Sequence, residues 1–320
     1  MIGVAIVLLA SFFFCFQNVI VRILFTEQTI LGIWQTGGFV PPSLNHSLLL
    51  LLLRMVWVMP LMTVIAQRLY PQTWSEIRLL GQKNYRGILR SALGCGFLMF
   101  LYLVLLYISI SLIPTGIAIT LFFTYPVFTA LIAWGILGEK PSALRWLVIG
   151  LILVGSVLST PYSTDTLTLQ TAIGVIMGIA SGLSYAFYTV FAQQTLRHLH
   201  PVPFTWISFG STLILSVFSL LIWQIKAANF FWSALIIGSL LSALFTFVGH
   251  LLTNWGIQLI GASRTAIIGA TNPALTTLLA GVTIHEVLNG VQIFGIILVT
   301  FSLALLNSDR GRSPSLKDSP

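Results

Sequence analysis

Apolar residues occur along this chain in stretches of helix-spanning length, separated by short polar, proline-bearing or charged breaks. A hydrocarbon core takes about 20 residues of helix to cross. Dividing the chain at its breaks gives ten such segments: 2–25, 47–67, 88–110, 113–137, 143–160, 170–192, 203–225, 232–257, 263–284 and 288–306. Most connections are short, and the polar tail 307–320 (NSDRGRSPSLKDSP) has too little apolar content to pack, so it reads as a disordered tail. The pattern predicts an all-α integral membrane protein of ten transmembrane helices, with no segment left over for a soluble domain.

The fourth and ninth segments repeat each other. TYPVFTALIAWGILGEK (Thr124–Lys140) and TNPALTTLLAGVTIHEV (Thr271–Val287) agree at Thr124/Thr271, Pro126/Pro273, Thr129/Thr276, Leu131/Leu278, Ala133/Ala280 and Glu139/Glu286. A weaker match joins the first and sixth segments, where Gly3-Val4 resembles Gly174-Val175. Five helices separate the copies, and an odd number turns the second upside down. The chain therefore reads as two inverted five-helix repeats, 1–160 and 170–306, the first carrying a long outer loop at 26–46. Two halves related by a twofold axis in the membrane plane can exchange conformations, so that one sequence builds both an outward-open and an inward-open state. This points to transport, with a purely structural duplication as the alternative.

Helical phase sorts the polar residues inside the spans, where each is costly. Ser11, Cys15, Asn18 and Arg22 share one face of the first segment, and Ser181, Ser184 and Tyr188 one face of the sixth. The eighth carries Ser239, Ser242, Thr246, Gly249, His250, Thr253 and Asn254, and the ninth Thr265, Gly269, Asn272 and Thr276. Such stripes mark a common interior, either a solvated cavity or a hydrogen-bonded seam. Asn18, Tyr188, His250, Asn254 and Asn272 are the candidate substrate contacts, with Tyr102, Tyr107 and Tyr125 shaping the pocket. His250 is the candidate proton site, because its unperturbed pKa lies near neutrality; its alternative is a simple hydrogen bond. Arg54, about a third of the way into the second segment, either snorkels to the outer interface or attracts a substrate anion, and Arg22 carries the same ambiguity. Pro126 and Pro273, read as mid-helix prolines, would each free a carbonyl; they are packing kinks or cavity-shaping hinges. Glu139 and Glu286 stand at span ends, as interface anchors or loop partners.

Composition agrees with the membrane reading: 57% of residues are hydrophobic and 7% charged, against about 25% charged in soluble domains. The net charge of +8 reflects loop bias and not nucleic-acid binding. With both termini in the cytoplasm, Arg68, Arg78, Lys83, Arg86, Arg90, Lys140, Arg145, Arg197, Arg264, Arg310, Arg312 and Lys317 all fall inside and Lys226 outside, as the positive-inside rule requires. Cys15 and Cys95 lie in apolar runs and read as small buried side chains.

Enzyme motifs are missing where they would be sought. HEVLN (285–289) begins like H-E-x-x-H but ends in Asn289, so the second metal ligand is absent. Asp165, Asp309 and Asp318 fall in loops or the tail, and no G-x-x-x-x-G-K-[ST] loop exists to bind ATP. No cofactor or metal is expected. A receptor or scaffold role remains as the rival without transport activity.

LIPTGIAITLFFTYPVFTALIAWGILGEKPSALRWLVIGLILVGSVL resembles the EamA-type repeat of the drug/metabolite transporter superfamily, in which a proline-bearing helix and a G-E-[KR] turn lead into a glycine-containing span. IGASRTAIIGATNPALTTLLAGVTIHEVLNGVQIFGIILVTFSLAL resembles the second copy, with His285-Glu286 in place of Gly-Glu. The resemblance covers nearly the whole chain. It implies two inverted five-helix halves around a central cavity lined by spans 1, 3, 4, 6, 8 and 9, and secondary, non-ATP transport of small metabolites or amino acids. The resulting expectation is an exporter in a bacterial inner membrane, with lipid and a small-molecule substrate as its partners and His250 as the group for proton coupling.

Overall fold

A computed structural model describes residues 2–25, 27–41, 43–113, 115–159, 169–222, 231–283 and 289–308. Helix α1 (Ile2–Phe25) leads into a hairpin of β1 (Gln28–Ile30) and β2 (Trp34–Thr36), then α2 (Leu44–Leu69), α3 (Thr73–Leu80), a 3-10 turn at Lys83–Tyr85 and α4 (Arg86–Leu112). Helices α5 (Thr115–Phe122), α6 (Tyr125–Leu137) and α7 (Ala143–Ser159) follow. The second half holds α8 (Leu169–Thr195), α9 (Pro201–Ile222), α10 (Trp232–Ile260), α11 (Ala262–Gly269), α12 (Asn272–Thr283) and α13 (Gly290–Ser308). Seven helical stretches are long and apolar enough to cross a membrane, and shorter apolar helices lie at 143–158 and 290–302. Large apolar side chains cover the outside, among them Phe12, Val154, Phe218, Ile237 and Phe301. Water would penalise such a surface, whereas lipid tails solvate it.

The fourth and ninth segments are not continuous helices, which corrects the placing of Pro126 and Pro273 in mid-helix. Helix α5 stops at Phe122 and α6 starts at Tyr125; α11 stops at Gly269 and α12 starts at Asn272. Pro126 therefore stands in the first turn of a new helix, where its missing N–H costs nothing. At each break a threonine closes the last turn with both its N–H and its hydroxyl: Thr124 Oγ1 donates to Leu121 O and Thr271 Oγ1 to Ile268 O, both at 2.7 Å, beside the backbone bonds to the same carbonyls. Glycine completes the first break. A Cβ at Gly182 of α8 would lie 2.7 Å from Phe122 O, so only a residue without one lets α8 pack on the opened turn.

Helix pairing is extensive between α1 and α10, α4 and α8, α7 and α13, and α2 and α9. The contacts recur at matched positions. Ile260 fills the space beside Gly3, and Ile113 the space beside Gly174. Asn18 Nδ2 donates to Thr276 Oγ1 at 3.3 Å, while Thr189 and Thr129 share a bond at 3.4 Å. Leu24 packs on Gly238, and Ser91 and Thr195 share a bond at 2.7 Å. Gly3, Asn18 and Leu24 are offset from Gly174, Thr189 and Thr195 by one constant shift. Ile113, Thr129 and Ser91 are offset from Ile260, Thr276 and Gly238 by the shift that relates Thr124 to Thr271.

Two elements lie outside the expected helices. The loop at 26–46 contains an antiparallel hairpin with the register Gln28↔Thr36, Thr29↔Gln35 and Ile30↔Trp34. Its base is tied to α1 by Gly38 N–H to Ile23 O (3.1 Å) and Val40 N–H to Leu24 O (3.3 Å), and its tip to α12 by Leu31 N–H to Thr283 O (2.7 Å). The tip turns through Leu31 (φ 51°) and Gly32 (φ 71°). Helix α3 lies between the second and third segments and packs on α9, where Trp74 meets Trp206 edge-on at 5.5 Å.

Candidate functional site

The interior polar residues fall into three groups. The first joins α1 to α12: Asn18 Nδ2 donates to Asn272 Oδ1 at 2.8 Å, and Asn272 Nδ2 donates to Ser11 O at 2.9 Å. Thr276 Oγ1 also donates to Asn272 Oδ1 at 3.3 Å. Asn272 stands at the first position of α12 because the break at Ala270–Thr271 starts a new helix there, and its amide reaches across to a helix of the other half.

The second group joins α8, α9 and α10. Tyr188 Oη donates to Asn254 Oδ1 at 2.9 Å, and Asn254 Nδ2 donates to Thr205 Oγ1 at 2.8 Å. Tyr188, Asn254 and Thr205 are all fully buried. Each polar atom finds a partner, which is what makes their burial tolerable.

In the third group polar and aromatic side chains meet. Arg54 is buried, with 3% of its surface exposed, and its guanidinium donates to Tyr107 Oη; it does not snorkel to an interface. Tyr102 Oη and His250 Nε2 lie 3.5 Å apart. Around Tyr102 the rings close up: Phe122 stacks on it at 5.8 Å, Tyr185 meets it edge-on at 4.9 Å, and Tyr185 in turn contacts Tyr125 at 4.8 Å and Tyr188 at 5.7 Å. Phe14 and Phe209 present edges to His250 at 5.0 and 5.6 Å. Ser242 Oγ, Thr246 Oγ1 and His250 Nδ1 are buried without a hydrogen-bond partner. The stripe on α10 is thus bonded at Asn254 and unbonded one to three turns earlier.

One end of this interior is tied shut by Gln193 of α8. Its Nε2 donates to Glu139 Oε1 at 2.6 Å and its Oε1 accepts Ala262 N–H at 2.5 Å. The G-E-K turn makes this geometry. Gly138 in the left-handed region (φ 71°) closes α6, with its N–H on Trp134 O, as in an αL cap, and that of Glu139 on Ala133 O. Glu139 is turned back toward α8. Arg22 is half-buried in the last turn of α1. Glu286 and the side chain of Pro273 lie outside the described residues. Among the described residues no cluster of His, Cys, Asp or Glu could hold a metal ion.

Sequence reasoning missed Tyr185, Phe122, Thr205 and Gln193. Tyr185 was within reach, since it falls four residues after Ser181 on the same stripe. Gln193 lies just past the expected end of the sixth segment, at 192.

The profile of the EamA-like transporter family matches residues 1–160 and again 172–308. An uncharacterized transporter of Synechocystis is 65% identical over 310 residues, covering 97% of this chain and 94% of its own. An uncharacterized transporter of Bacillus subtilis is 26% identical over 208 residues, covering 63% of this chain and 66% of its own. A protein of known crystal structure shares the fold with a TM-score of 0.68 at 17% identity, over 97% of this chain and 99% of that one.

Proposed function

The chain belongs to the EamA-like transporter family of the drug/metabolite transporter superfamily, and on that premise we propose that it is a secondary transporter exporting small metabolites or amino acids by alternating access. It is an integral, multi-pass membrane protein. The seven long apolar stretches and two shorter apolar helices, together with the broken pair α11–α12, add up to ten spans in two inverted halves, with both termini in the cytoplasm of a bacterial inner membrane.

The observation that carries this reading is the matched set of contacts. Asn18–Thr276 and Thr189–Thr129 change places when each half is mapped onto the other, as do Gly3–Ile260 and Gly174–Ile113. Self-complementary pairing of that kind is what a twofold axis produces, and it makes the two alternate states close in energy. Ligand then shifts the balance by its differential affinity for each. Asn18, Tyr102, Tyr107, Tyr125, Tyr188, His250, Asn254 and Asn272 line the route, Arg22 and Arg54 attract anions, and the breaks before Pro126 and Pro273 supply compliance. Glu139 and Glu286 close span ends, and His250 is the group for proton coupling.

The test is metabolite-resolved flux in proteoliposomes loaded with amino acids and small metabolites, with and without a pH gradient. Selective loss of one compound class is expected, and Asn272→Ala and His250→Ala reduce that flux while the protein still inserts. Wild-type flux in both variants sinks the site assignment; no selective movement by folded, inserted protein counts against transport.

A further inference from the structure

Among the described residues Arg54 has no acid to balance it. A guanidinium offers five donors, yet among the described residues its one hydrogen-bond partner is the Tyr107 hydroxyl and no carboxylate pairs with it. None of the described glutamates lies in a membrane-spanning helix: Glu27 precedes β1, Glu76 lies in the short helix α3 and Glu139 follows α6. Burying a cation without its counter-ion is costly, so such an arrangement persists where something else supplies the negative charge.

The surroundings restrict what that is. Arg54 bonds Tyr107 on α4, the helix that also carries Tyr102, and α2 packs on α10, the helix of His250. On α10, Ser242 Oγ, Thr246 Oγ1 and His250 Nδ1 are unpartnered, at 2%, 1% and 4% exposure. These polar atoms, the two hydroxyls able to donate, follow one another at four-residue spacing along one face of α10. Tyr102 links this polar face to the ring cluster, with its hydroxyl 3.5 Å from His250 Nε2 and its ring stacked on Phe122 at 5.8 Å and edge-on to Tyr185 at 4.9 Å. One fixed positive charge, spare donors, and a wall of aromatic faces select a flat apolar body carrying a single carboxylate. Among the described residues no acidic side chain lies in a membrane-spanning helix to neutralise an ammonium group.

Resting on the transport reading above, we propose that Arg54 and Tyr107 bind the carboxylate of an aromatic carboxylic acid lacking a charged amine, with its ring against Tyr102, Phe122 and Tyr185. The guanidinium and the Tyr107 hydroxyl hold the two oxygens, and charge-assisted bonds of this sort are the stronger class. Ring-on-ring contact in offset or edge geometry supplies the rest of the recognition.

The experiment uses the full-length protein, purified and also reconstituted in proteoliposomes. Its probes are phenylacetate, its uncharged isostere phenylacetamide, and phenylethylammonium. Phenylacetate binds saturably and moves across the bilayer, and phenylacetamide binds at least about tenfold more weakly. Arg54→Gln loses a similar factor, Arg54→Lys and Tyr107→Phe less. Equal binding of acid and amide by the unaltered protein overturns the proposal whether or not Arg54→Gln folds. Flux of the amide or the ammonium compound without preference for the acid also overturns it, while leaving transport standing. Binding of the acid without flux supports the site and counts against the transport reading; neither binding nor flux of the three probes overturns the aromatic-acid site, and the transport reading then stands or falls by the metabolite-mixture flux.

Discussion

Gln193 holds Glu139 and Ala262 together, one with each end of its amide, at 2.6 and 2.5 Å. The tie joins α8 to the C-terminal end of α6 and the start of α11. Gly261 takes the positive φ (82°) of the turn between α10 and α11, and a Cβ there would make only ordinary contact with Gln193 Oε1, at 3.4 Å. Gln193→Ala removes both bonds, one of them to a charged acceptor, and costs about 2 kcal/mol. Gln193→Glu places two carboxylates at hydrogen-bond distance and costs more. Thermal unfolding in detergent ranks the three proteins; a Gln193→Glu variant as stable as the parent means the tie contributes nothing.

Two glycines make an opposed pair of predictions. At Gly182 a Cβ would lie 2.7 Å from the backbone oxygen of Phe122, whereas at Gly94 of α4 it would meet nothing within 4 Å. Gly182→Ala forces α8 away from the opened turn and destabilises by about 1–3 kcal/mol. Gly94→Ala gains helix propensity without a clash and stabilises by up to about 1 kcal/mol. The same unfolding assay reads both, and two shifts of the same sign would contradict the close approach at Gly182.

The all-helical, membrane-embedded character was legible in the sequence because a backbone in lipid must satisfy itself, which enforces long apolar helices, and seven such stretches are present among the described residues. The breaks before Pro126 and Pro273 were not, because a proline in an apolar run reads as a kink until the neighbouring chain is known. Here Thr124 and Thr271 cap the carbonyls and Gly182 admits a helix. The hairpin is another case: GIWQTGGF has no sustained alternation of apolar and polar residues, and its order comes from bonds to α1 and α12. Arg54 and Asn272 stood out because a polar group in a span is expensive. Their partners Tyr107 and Asn18 could not be assigned, since which spans adjoin is a property of packing.

His200, just before α9, gives the protein an acid-sensitive contact. Its ring stacks on Tyr70 at 3.9 Å with planes 8° apart, and its Nδ1 accepts Val202 N–H at 3.3 Å. Burial lowers its pKa from 6.5, with Glu76 opposing the shift. Glu76 accepts the Tyr70 hydroxyl at 2.5 Å, a bond that is the main cause of the tyrosine's pKa rising to about 12. A histidine with a lowered folded pKa favours the neutral form, so the unfolded chain takes up protons first as pH falls. The contribution is fully present above 6.5 and is lost progressively below it, down through the folded pKa. The unfolding temperature therefore declines as pH drops from about 7 towards 5, and His200→Gln flattens that decline. An unchanged slope in the variant removes His200 as the cause.

The hairpin between α1 and α2 is a strap whose two attachments differ. Its base holds α1 through Gly38 and Val40, while its tip holds α12 of the other half through the single bond from Leu31 N–H to Thr283 O at 2.7 Å. Leu31 makes that bond at φ 51°, a conformation uncommon for a non-glycine residue. If α1 and α12 separate during alternating access, the tip bond must break while the base stays attached. A backbone N–H···O bond of this length leaves the two Cα atoms about 5–6 Å apart, within reach of a disulfide. Leu31→Cys with Thr283→Cys is therefore expected to cross-link under mild oxidation, the native Cys15 and Cys95 being buried and unpaired. Cross-linking should abolish most proteoliposome flux and reduction should restore it, while each single cysteine variant transports like the parent. Full flux through the cross-linked protein would place the moving parts elsewhere and leave the strap as a static brace.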